Sequence, residues 1–278
     1  MKNVTLPLSA SQRQTAPDRK SARRQRDAAL AGAWERLAPR LAHSAKQARR
    51  HLTVRSSDMP YEPGPSGVTM RTAYQIDDAC APVPGEPTRI RLIDAPAGAQ
   101  VMLPIDTDAD SAWLVLDGQI DIGDVMCGKY DYQERLAGEP SVALATRHGA
   151  RVMLRESIPR PRSPNSARSV NTTRAGQMAW EVLADGVSRR LLAPPRGSAA
   201  AYFVQLAACA SAPAHRHGHA EECLVLEGEM YLDDILLFGG DFQLAHAGGQ
   251  HTEASSDSGV LLLVHGDLDL DVMDTGQQ

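Results

Sequence analysis

The feature that most constrains the fold is a repeat within the chain. LVLDG at Leu114–Gly118 returns 110 positions later as LVLEG at Leu224–Gly228. A longer loop in the first copy, around Asp77–Pro87, explains why earlier pairs are offset by 119 positions instead. The chain is therefore predicted to contain two copies of one folding unit. The flanking matches, in order, are Tyr61-Glu62 with Trp180-Glu181, Gly67-Val68 with Gly186-Val187, Asp124-Val125 with Asp234-Ile235, and Asp131-Tyr132 with Asp241-Phe242.

Each copy has the pattern of a β-rich unit. After Ser56, short apolar runs alternate with Gly, Pro and Asp turns at a spacing of roughly 8–12 residues, which is typical of an all-β sandwich or barrel. Residues 158–176, between the copies, are rich in Pro, Ser, Asn and Arg and contain almost no apolar side chains. That composition predicts a linker.

Charge divides the chain into two parts. Residues 1–55 hold 13 basic and 3 acidic residues, a net charge of +10, whereas the rest holds 16 basic and 31 acidic residues, a net charge of −15. Leu30, Trp34, Leu37 and Leu41 fall at helical spacing and form one apolar stripe. We therefore expect a basic, partly disordered helical arm, which either contacts an acidic partner or stays solvated.

These patterns predict an all-β protein with two barrels in tandem behind an α-helical arm. No run approaches the roughly 20 apolar residues that a membrane span needs, and the first ten residues lack the apolar run of a signal peptide. We therefore expect a cytoplasmic protein. The predicted parts are an arm at 1–55, a barrel without metal ligands at 56–157, a linker at 158–176, a metal-binding barrel at 177–266 and an acidic tail at 267–278.

The segment that carries chemistry is Pro213–Gly228, with the sequence PAHRHGHAEECLVLEG. Side chains of like parity share one face of a strand, so His215, His217 and Glu221 would point together and Glu222 would point away. A bulge in the Gly-His-Ala segment before the glutamates would reverse that choice, so both glutamates stay open. Imidazole together with a carboxylate suits zinc, iron, manganese or nickel.

Two further histidines extend this constellation. His251 follows the glycine-rich turn in Gly240–His251, at the head of the next predicted strand, where it would supply a fourth ligand. His219 also has inward parity. It is either a fifth ligand, a contact to a substrate or a histidine of the loop.

The two segments resemble the cupin motifs. HRHGHAE, with six residues between Glu221 and Gly228, is similar to the first motif, HxH-x3-E-x6-G. Gly240–His251 is similar to the second, G-x5-P-x-G-x2-H, with His246 at the proline position. The resemblance implies a jelly-roll-like barrel and one divalent metal ion, zinc first, with iron, manganese or nickel as alternatives. The ligands that it implies are His215, His217, Glu221 and His251.

More narrowly, the second copy resembles the cupin domain of ChrR-type anti-sigma factors and their stand-alone relatives. The shared marks are W-E-x4-G-V, PAHRH, EE-x-LVLEG, a short hairpin between the motifs and a closing LLLV strand. In the first copy, the positions aligned with the ligands are Ile105, Thr107 and Ser111, and no histidine lies near Ser141. The first barrel is therefore a degenerate bicupin partner that is expected to bind no metal.

The resemblance implies a metal-binding protein that regulates transcription or senses a signal, similar to an anti-sigma factor. It would respond to a small molecule, an oxidant or a metal, with the arm contacting a sigma factor or another protein. However, ChrR-type proteins carry an H-x3-C-x2-C zinc motif ahead of the cupin, and this chain has no Cys before Cys80. The alternative is a metal-dependent dioxygenase acting on a small diketone-like substrate. Because cupin barrels associate through strand edges, we also expect a homodimer.

Overall fold

The computed structural model describes a chain made almost entirely of strands. It describes residues 51–76, 88–138, 141–157, 170–177, 179–193, 199–268 and 271–273, which all belong to one compact unit spanning Gln47–Gln278. The predicted helical arm, apart from its last five residues, lies outside the described residues. Within the described part of the chain, no helix is long and apolar enough to cross a membrane.

The described residues of the first repeat form ten strands and two short 3₁₀ turns, at Ser56–Asp58 and Pro65–Gly67. Several of its strands alternate buried and exposed residues, as expected for strands that cover a core on one face. The strands are β1 (His51–Val54), β2 (Tyr61–Pro63), β3 (Thr69–Ile76), β4 (Thr88–Ala95), β5 (Gln100–Pro104), β6 (Asp110–Ile122), β7 (Val125–Gly128), β8 (Tyr132–Arg135), β9 (Ser141–Ala145) and β10 (Ala150–Ser157).

In the second repeat, the residues that the structure describes form thirteen further strands. They are β11 (Val170–Thr173), β12 (Glu181–Ala184), β13 (Val187–Leu191), β14 (Ala199–Leu206), β15 (Ala210–Ala212), β16 (His215–Arg216), β17 (Glu221–Leu232), β18 (Ile235–Phe238), β19 (Phe242–Ala245), β20 (Gln250–His251), β21 (Ala254–Ser256), β22 (Val260–Asp267) and β23 (Asp271–Val272).

The strands form two antiparallel barrels of the same topology. One sheet has the order β11-β8-β6-β10-β4-β3-β2, and its counterpart has the order β1-β19-β17-β22-β14-β13-β12. The long strands β6 and β17 also pair with strands of the facing sheets, β7 and β9 in one barrel and β18 and β21 in the other. The predicted fold class, all-β with two jelly-roll-like barrels in tandem, is confirmed.

The last residue of the repeated LVLDG and LVLEG motif is glycine for a steric reason. Gly118 and Gly228 have φ values of +75° and +82°, and a Cβ would lie 2.3 and 2.0 Å from the carbonyl oxygens of Gly149 and Gly259. No side chain fits there without backbone movement. The repeat visible in the sequence therefore marks a point where two chain segments approach closely in each barrel.

The two repeats exchange their first strands, and this changes the predicted boundaries. Strand β1, predicted as the end of the helical arm, pairs with β19 of the second barrel. Strand β11, predicted within the linker, pairs with β8 of the first barrel. Both strands cover a sheet edge that would otherwise expose unpaired backbone groups. Each repeat thus begins a few residues before the predicted start of its barrel. The first repeat begins at His51 instead of residue 56, and the second begins at Val170 instead of residue 177.

The predicted acidic tail also begins too early. Asp267 closes strand β22 and is 6% exposed, and β23 pairs with β16 beside the candidate metal ligands. The buried carboxylate of Asp267 accepts hydrogen bonds from the backbone nitrogens of Gly218 and His219. These bonds satisfy backbone donors of a loop, which explains why an acidic residue at this position is buried instead of solvated.

Each barrel has its own apolar cluster of buried residues. A third apolar cluster lies between the barrels and contains residues of both repeats, including Tyr74 and Phe242, whose ring centroids lie 4.8 Å apart. Within this interface, the Arg155 guanidinium donates to the Glu222 carboxylate at 2.6 Å, and both side chains are largely buried. The two barrels are therefore joined by an apolar surface and a buried ion pair.

Candidate metal centre

The four predicted ligands come from three short segments of the second barrel. His215 lies on β16 and His251 on β20, and the two residues are direct partners in that antiparallel ladder. His217 follows two positions after His215, and Glu221 begins β17. His215, His217 and Glu221 face one region, the grouping that the parity of the sequence predicts, and His251 reaches the same region from the neighbouring strand.

The structure brings these side chains together in space. The ring centroids of His215, His217 and His251 lie 4.9–5.5 Å from one another. Donor atoms of His215, His217 and Glu221 all lie within 4.8 Å of one another. Protein–metal bonds of about 2.0–2.2 Å place neighbouring ligand atoms roughly 3–4 Å apart, so small side-chain movements would complete coordination.

Hydrogen bonds select which nitrogen of two histidines faces inward. The Nδ1 atom of His215 lies 2.9 Å from the carbonyl oxygen of Pro213, and that of His251 lies 3.2 Å from a carboxylate oxygen of Asp233. Both partners are acceptors, so each Nδ1 carries the hydrogen and donates. The Nε2 atoms are then left as acceptors for a metal ion, an arrangement typical of metal-ligating histidines.

The burial of His217 and its lack of hydrogen bonds indicate whether the site fits a cation. Its side chain is completely buried, and neither Nδ1 nor Nε2 has a hydrogen-bond partner. Burial, together with the nearby His251 and His215, lowers the pKa of His217 to about 3. A neutral, buried imidazole without hydrogen bonds is costly in itself, and coordination of a metal would satisfy it.

Glu221 is the carboxylate that faces this region. Its Oε2 lies 3.6 Å from Nδ1 of His217. Burial and the charge of Asp267 raise the pKa of Glu221 to about 8. The metal-free site therefore disfavours the carboxylate, and a divalent ion would reverse that preference by adding positive charge. The three histidines and Glu221 form a donor set that fits a divalent metal.

Glu222 has a different environment. It pairs with Arg155 across the barrel interface, and although burial opposes it, the charge of Arg155 lowers the pKa of Glu222. His219 belongs to the loop, where its Nδ1 lies 2.5 Å from a carboxylate oxygen of Asp267. Among the described residues, neither side chain belongs to a group of potential metal ligands.

Sequence reasoning did not identify Asp233 or His51. Asp233 orients His251, and it accepts further hydrogen bonds from the backbone and hydroxyl of Thr252. It adopts a φ of +53°, whereas its counterpart in the first barrel is a glycine, Gly123. The available sequence signal was the replacement of Gly123 of the first copy by an aspartate at the aligned position of the second.

His51 reaches the site through the exchanged strand. Its ring centroid lies 4.7 Å from that of His251, and donor atoms of His51, Asp233 and His251 form a second group within 4.8 Å. In the ladder, His51 is paired with Ala245, which is also paired with Glu221. The local sequence could not reveal this contact, since it depends on long-range pairing.

A cavity of about 410 Å³ adjoins the candidate ligands within the second barrel. His215, Glu221 and His251 line one part of it, while most of the remaining wall is apolar. Arg189 also lines it, and its guanidinium is paired with Glu181 at 2.9 Å. The space is therefore suited to a small, largely apolar molecule next to a metal ion.

Comparison with protein families identifies the second barrel. Residues 168–269 match the model of the ChrR cupin-like domain. The matched range begins just before strand β11 and ends just after β22, so it covers the second repeat from its exchanged strand to all but its last short strand, β23. No curated protein matches the chain by sequence.

Several solved structures have a fold similar to that of this chain. A candidate dioxygenase from Nostoc punctiforme is 16% identical with a TM-score of 0.61, covering 83% of this chain and 88% of its own. The oxalate decarboxylase of Lactobacillus farciminis is 12% identical with a TM-score of 0.60, covering 80% and 88%. The nickel-bound pirin of Escherichia coli is 10% identical with a TM-score of 0.57, covering 78% and 98%. At such identities, the likeness shows the fold alone.

Proposed function

We propose that this chain, a bicupin whose second barrel matches the ChrR cupin-like domain, is a metal-binding regulatory or sensory protein. One divalent metal would be held by His215, His217, Glu221 and His251. A small molecule, an oxidant or the metal itself would be the input. The observation that carries the proposal is the convergence of these donors beside a cavity of about 410 Å³.

In this proposal each side chain has a defined task. The Nε2 atoms of His215 and His251 accept the metal because their Nδ1 atoms are engaged, and Glu221 supplies the negative charge. A bound metal would supply Lewis acidity toward an oxygen or sulfur atom of a ligand in the cavity. Zinc is our first choice for a sensor, because it has no redox chemistry of its own.

The regulatory role is tested by capture of a partner. Zinc-loaded full-length chain is used to retain transcription components from cell extract, in parallel with a chain that lacks residues 1–46. We expect retention of a sigma factor by the full chain and its loss on removal of the basic segment or of the metal. Failure of the full chain to retain any transcription component would contradict the regulatory role.

A dioxygenase is the second candidate, and a specific observation favours it. The cavity wall includes the candidate metal ligands themselves, so a molecule bound there would meet the metal directly. The test is oxygen uptake by iron-loaded protein with pentane-2,4-dione. Uptake that is lost in His251→Ala would support an enzyme, whereas no uptake above the protein-free rate would exclude this reaction.

We also propose that the chain forms a homodimer through an edge of a sheet. Strand β12 ends one sheet, and it exposes 76% of Val182 and 41% of Leu183. Apolar side chains on an unpaired edge favour association. Light scattering should give twice the chain mass of 29.9 kDa, and a species of 29.9 kDa alone would contradict the dimer.

A further inference from the structure

Gln243 is a buried polar residue of the cavity wall that is not a candidate metal ligand. Gln243 lines the cavity and is only 2% exposed, yet its amide nitrogen Nε2 has no hydrogen-bond partner. A buried donor without a partner costs about 1–3 kcal/mol. Such a group requires an explanation in the function of the cavity.

The position of Gln243 relative to the metal ligands follows from strand register. Glu221 is paired with Ala245, and Cys223 is paired with Gln243. Gln243 therefore lies one inward-facing position farther along the ladder than Glu221, on the neighbouring strand, with a displacement of roughly 6–7 Å along the strand direction at 3.3 Å per residue. A molecule in the cavity could thus approach the metal with one end and the Gln243 side chain with another, and a rotation of the amide would turn the buried Nε2 toward it.

The first repeat shows how the same residue is satisfied when no cavity is needed. Its counterpart, Gln133, is fully buried, and its Nε2 donates to Thr172 at 3.2 Å. Its Oε1 accepts from Arg135 at 3.1 Å. Ala245 occupies the position of Arg135 in the second barrel and cannot donate to Gln243 from its side chain.

Water is a poor substitute as the partner of Gln243. Most of the cavity wall is formed by Val, Leu, Met and Ala side chains, which give a water molecule few hydrogen-bond partners. The amide nitrogen is a donor only, so its complement is an acceptor atom. The positive charge of Arg189, elsewhere in the cavity wall, is already paired with Glu181, so the acceptor need not carry a charge.

We propose that Gln243 is a ligand-binding residue and that the cavity takes a small, largely apolar carbonyl compound whose oxygen accepts a hydrogen bond from Nε2. This inference rests on the small-molecule site of the proposed function and names the class of its ligand. The apolar wall provides most of the contact area. Gln243 distinguishes a carbonyl compound from a hydrocarbon of the same shape, because only the carbonyl compound satisfies the buried donor.

The test uses cyclohexanone and methylenecyclohexane, which differ in having an oxygen or a CH₂ group on the ring. Binding of both to zinc-loaded full-length protein is measured by ligand-observed NMR, for the natural chain and for Gln243→Leu. We expect the ratio of ketone affinity to hydrocarbon affinity to fall about tenfold in the variant. An unchanged ratio, or no binding of the ketone to the natural chain, would overturn the inference.

A stability measurement provides a matched control without any ligand. Gln243→Leu should raise the Tm or leave it unchanged, since it removes an unpaired buried donor. Gln133→Leu should lower the Tm, since it leaves Thr172 and Arg135 without their bonds to the amide. Equal destabilisation by both substitutions would identify Gln243 as a structural residue and contradict the proposal.

Metal content is measured on the same samples, which separates this inference from the proposed function. A chain that binds one metal ion but shows no effect of Gln243 on the ratio overturns the ligand class alone. A chain without metal that still shows the tenfold effect supports the ligand class and contradicts the metal centre.

Discussion

The two barrels have the same strand topology and differ in the side chains around the candidate metal centre. In the second barrel, the ladder aligns His51, Ala245 and Glu221 across three strands. In the first, the equivalent positions are Val170, Arg135 and Ser111. The Arg135 guanidinium extends toward Gly123, since a Cβ on that glycine would lie 2.9 Å from its Nη1. A fixed cationic side chain thus lies where the second barrel has its cluster of metal donors.

The interiors of the two barrels also differ in how completely they are filled. Trp113 is completely buried in the first barrel, and its indole nitrogen donates to Ser111 at 3.0 Å. The equivalent residues in the second barrel are Cys223 and Glu221, which line the cavity. One copy fills its interior with an indole ring, while the other leaves room for a ligand. The first barrel therefore has a closed interior at this position, and the second has a cavity beside the candidate metal ligands.

The largest expected contrast is in metal binding. His217→Ala should weaken zinc affinity by at least about 100-fold, because a four-ligand zinc site contributes about 10–16 kcal/mol in total, or roughly 3 kcal/mol per ligand. Thr107→Ala, at the equivalent position of the first barrel, should have no effect. Chelator competition measures both affinities. Equal losses in the two variants would contradict the division between the barrels.

The second contrast concerns how the interiors are filled. Trp113→Ala should lower the free energy of unfolding by about 3–5 kcal/mol, because it opens a large void in a closed core. Cys223→Ala should cost about 1 kcal/mol, because Cys223 already borders a cavity. Urea denaturation of the metal-free proteins gives both values. A larger cost for Cys223 than for Trp113 would overturn the assignment of the first barrel as the packed one.

Asp233→Gly introduces the residue of the first barrel into the second. Loss of the hydrogen bond to His251 should weaken zinc affinity about 10- to 100-fold, the usual effect of removing a partner of a metal-ligating histidine. Glycine tolerates the positive φ of this position, so the fold should be preserved. Unchanged affinity, with far-UV circular dichroism of the natural chain, would show that Asp233 does not orient His251.

The smallest effect is a pH dependence that belongs to the second barrel alone. The pKa of Glu221, about 8, lies above its unfolded value of about 4.5, so the folded state binds more protons between these limits. Metal-free protein should therefore lose stability as the pH rises from 6.5 to 7.5, on the order of 1 kcal/mol relative to Glu221→Gln. Denaturation at both pH values measures this difference. A constant difference between the two proteins would argue against a raised pKa.

The sequence predicts what depends on local spacing. Alternation of side chains along a strand grouped His215, His217 and Glu221 and favoured Glu221 over Glu222, whereas the choice between the two glutamates needed the structure. The duplicated glycine motif was enough to predict two similar units. Both inferences use residues that are close along the chain.

Long-range pairing accounts for what the sequence did not predict. Strand β1 meets a partner almost 200 positions away, and no local pattern indicates that pairing. The short strands β1 and β11 therefore appeared as parts of the arm and the linker. The same reason hid His51, and it hid the Arg155–Glu222 ion pair, whose members belong to different repeats.

The central claim is that one barrel holds a metal ion and its duplicate does not. It is tested most directly by anomalous X-ray scattering from a crystal of the zinc-loaded chain. We predict a single peak bounded by His215, His217, Glu221 and His251, and no peak beside Trp113 and Arg135. A peak in the first barrel, a peak between His51 and Asp233 instead, or no peak at all would contradict the account.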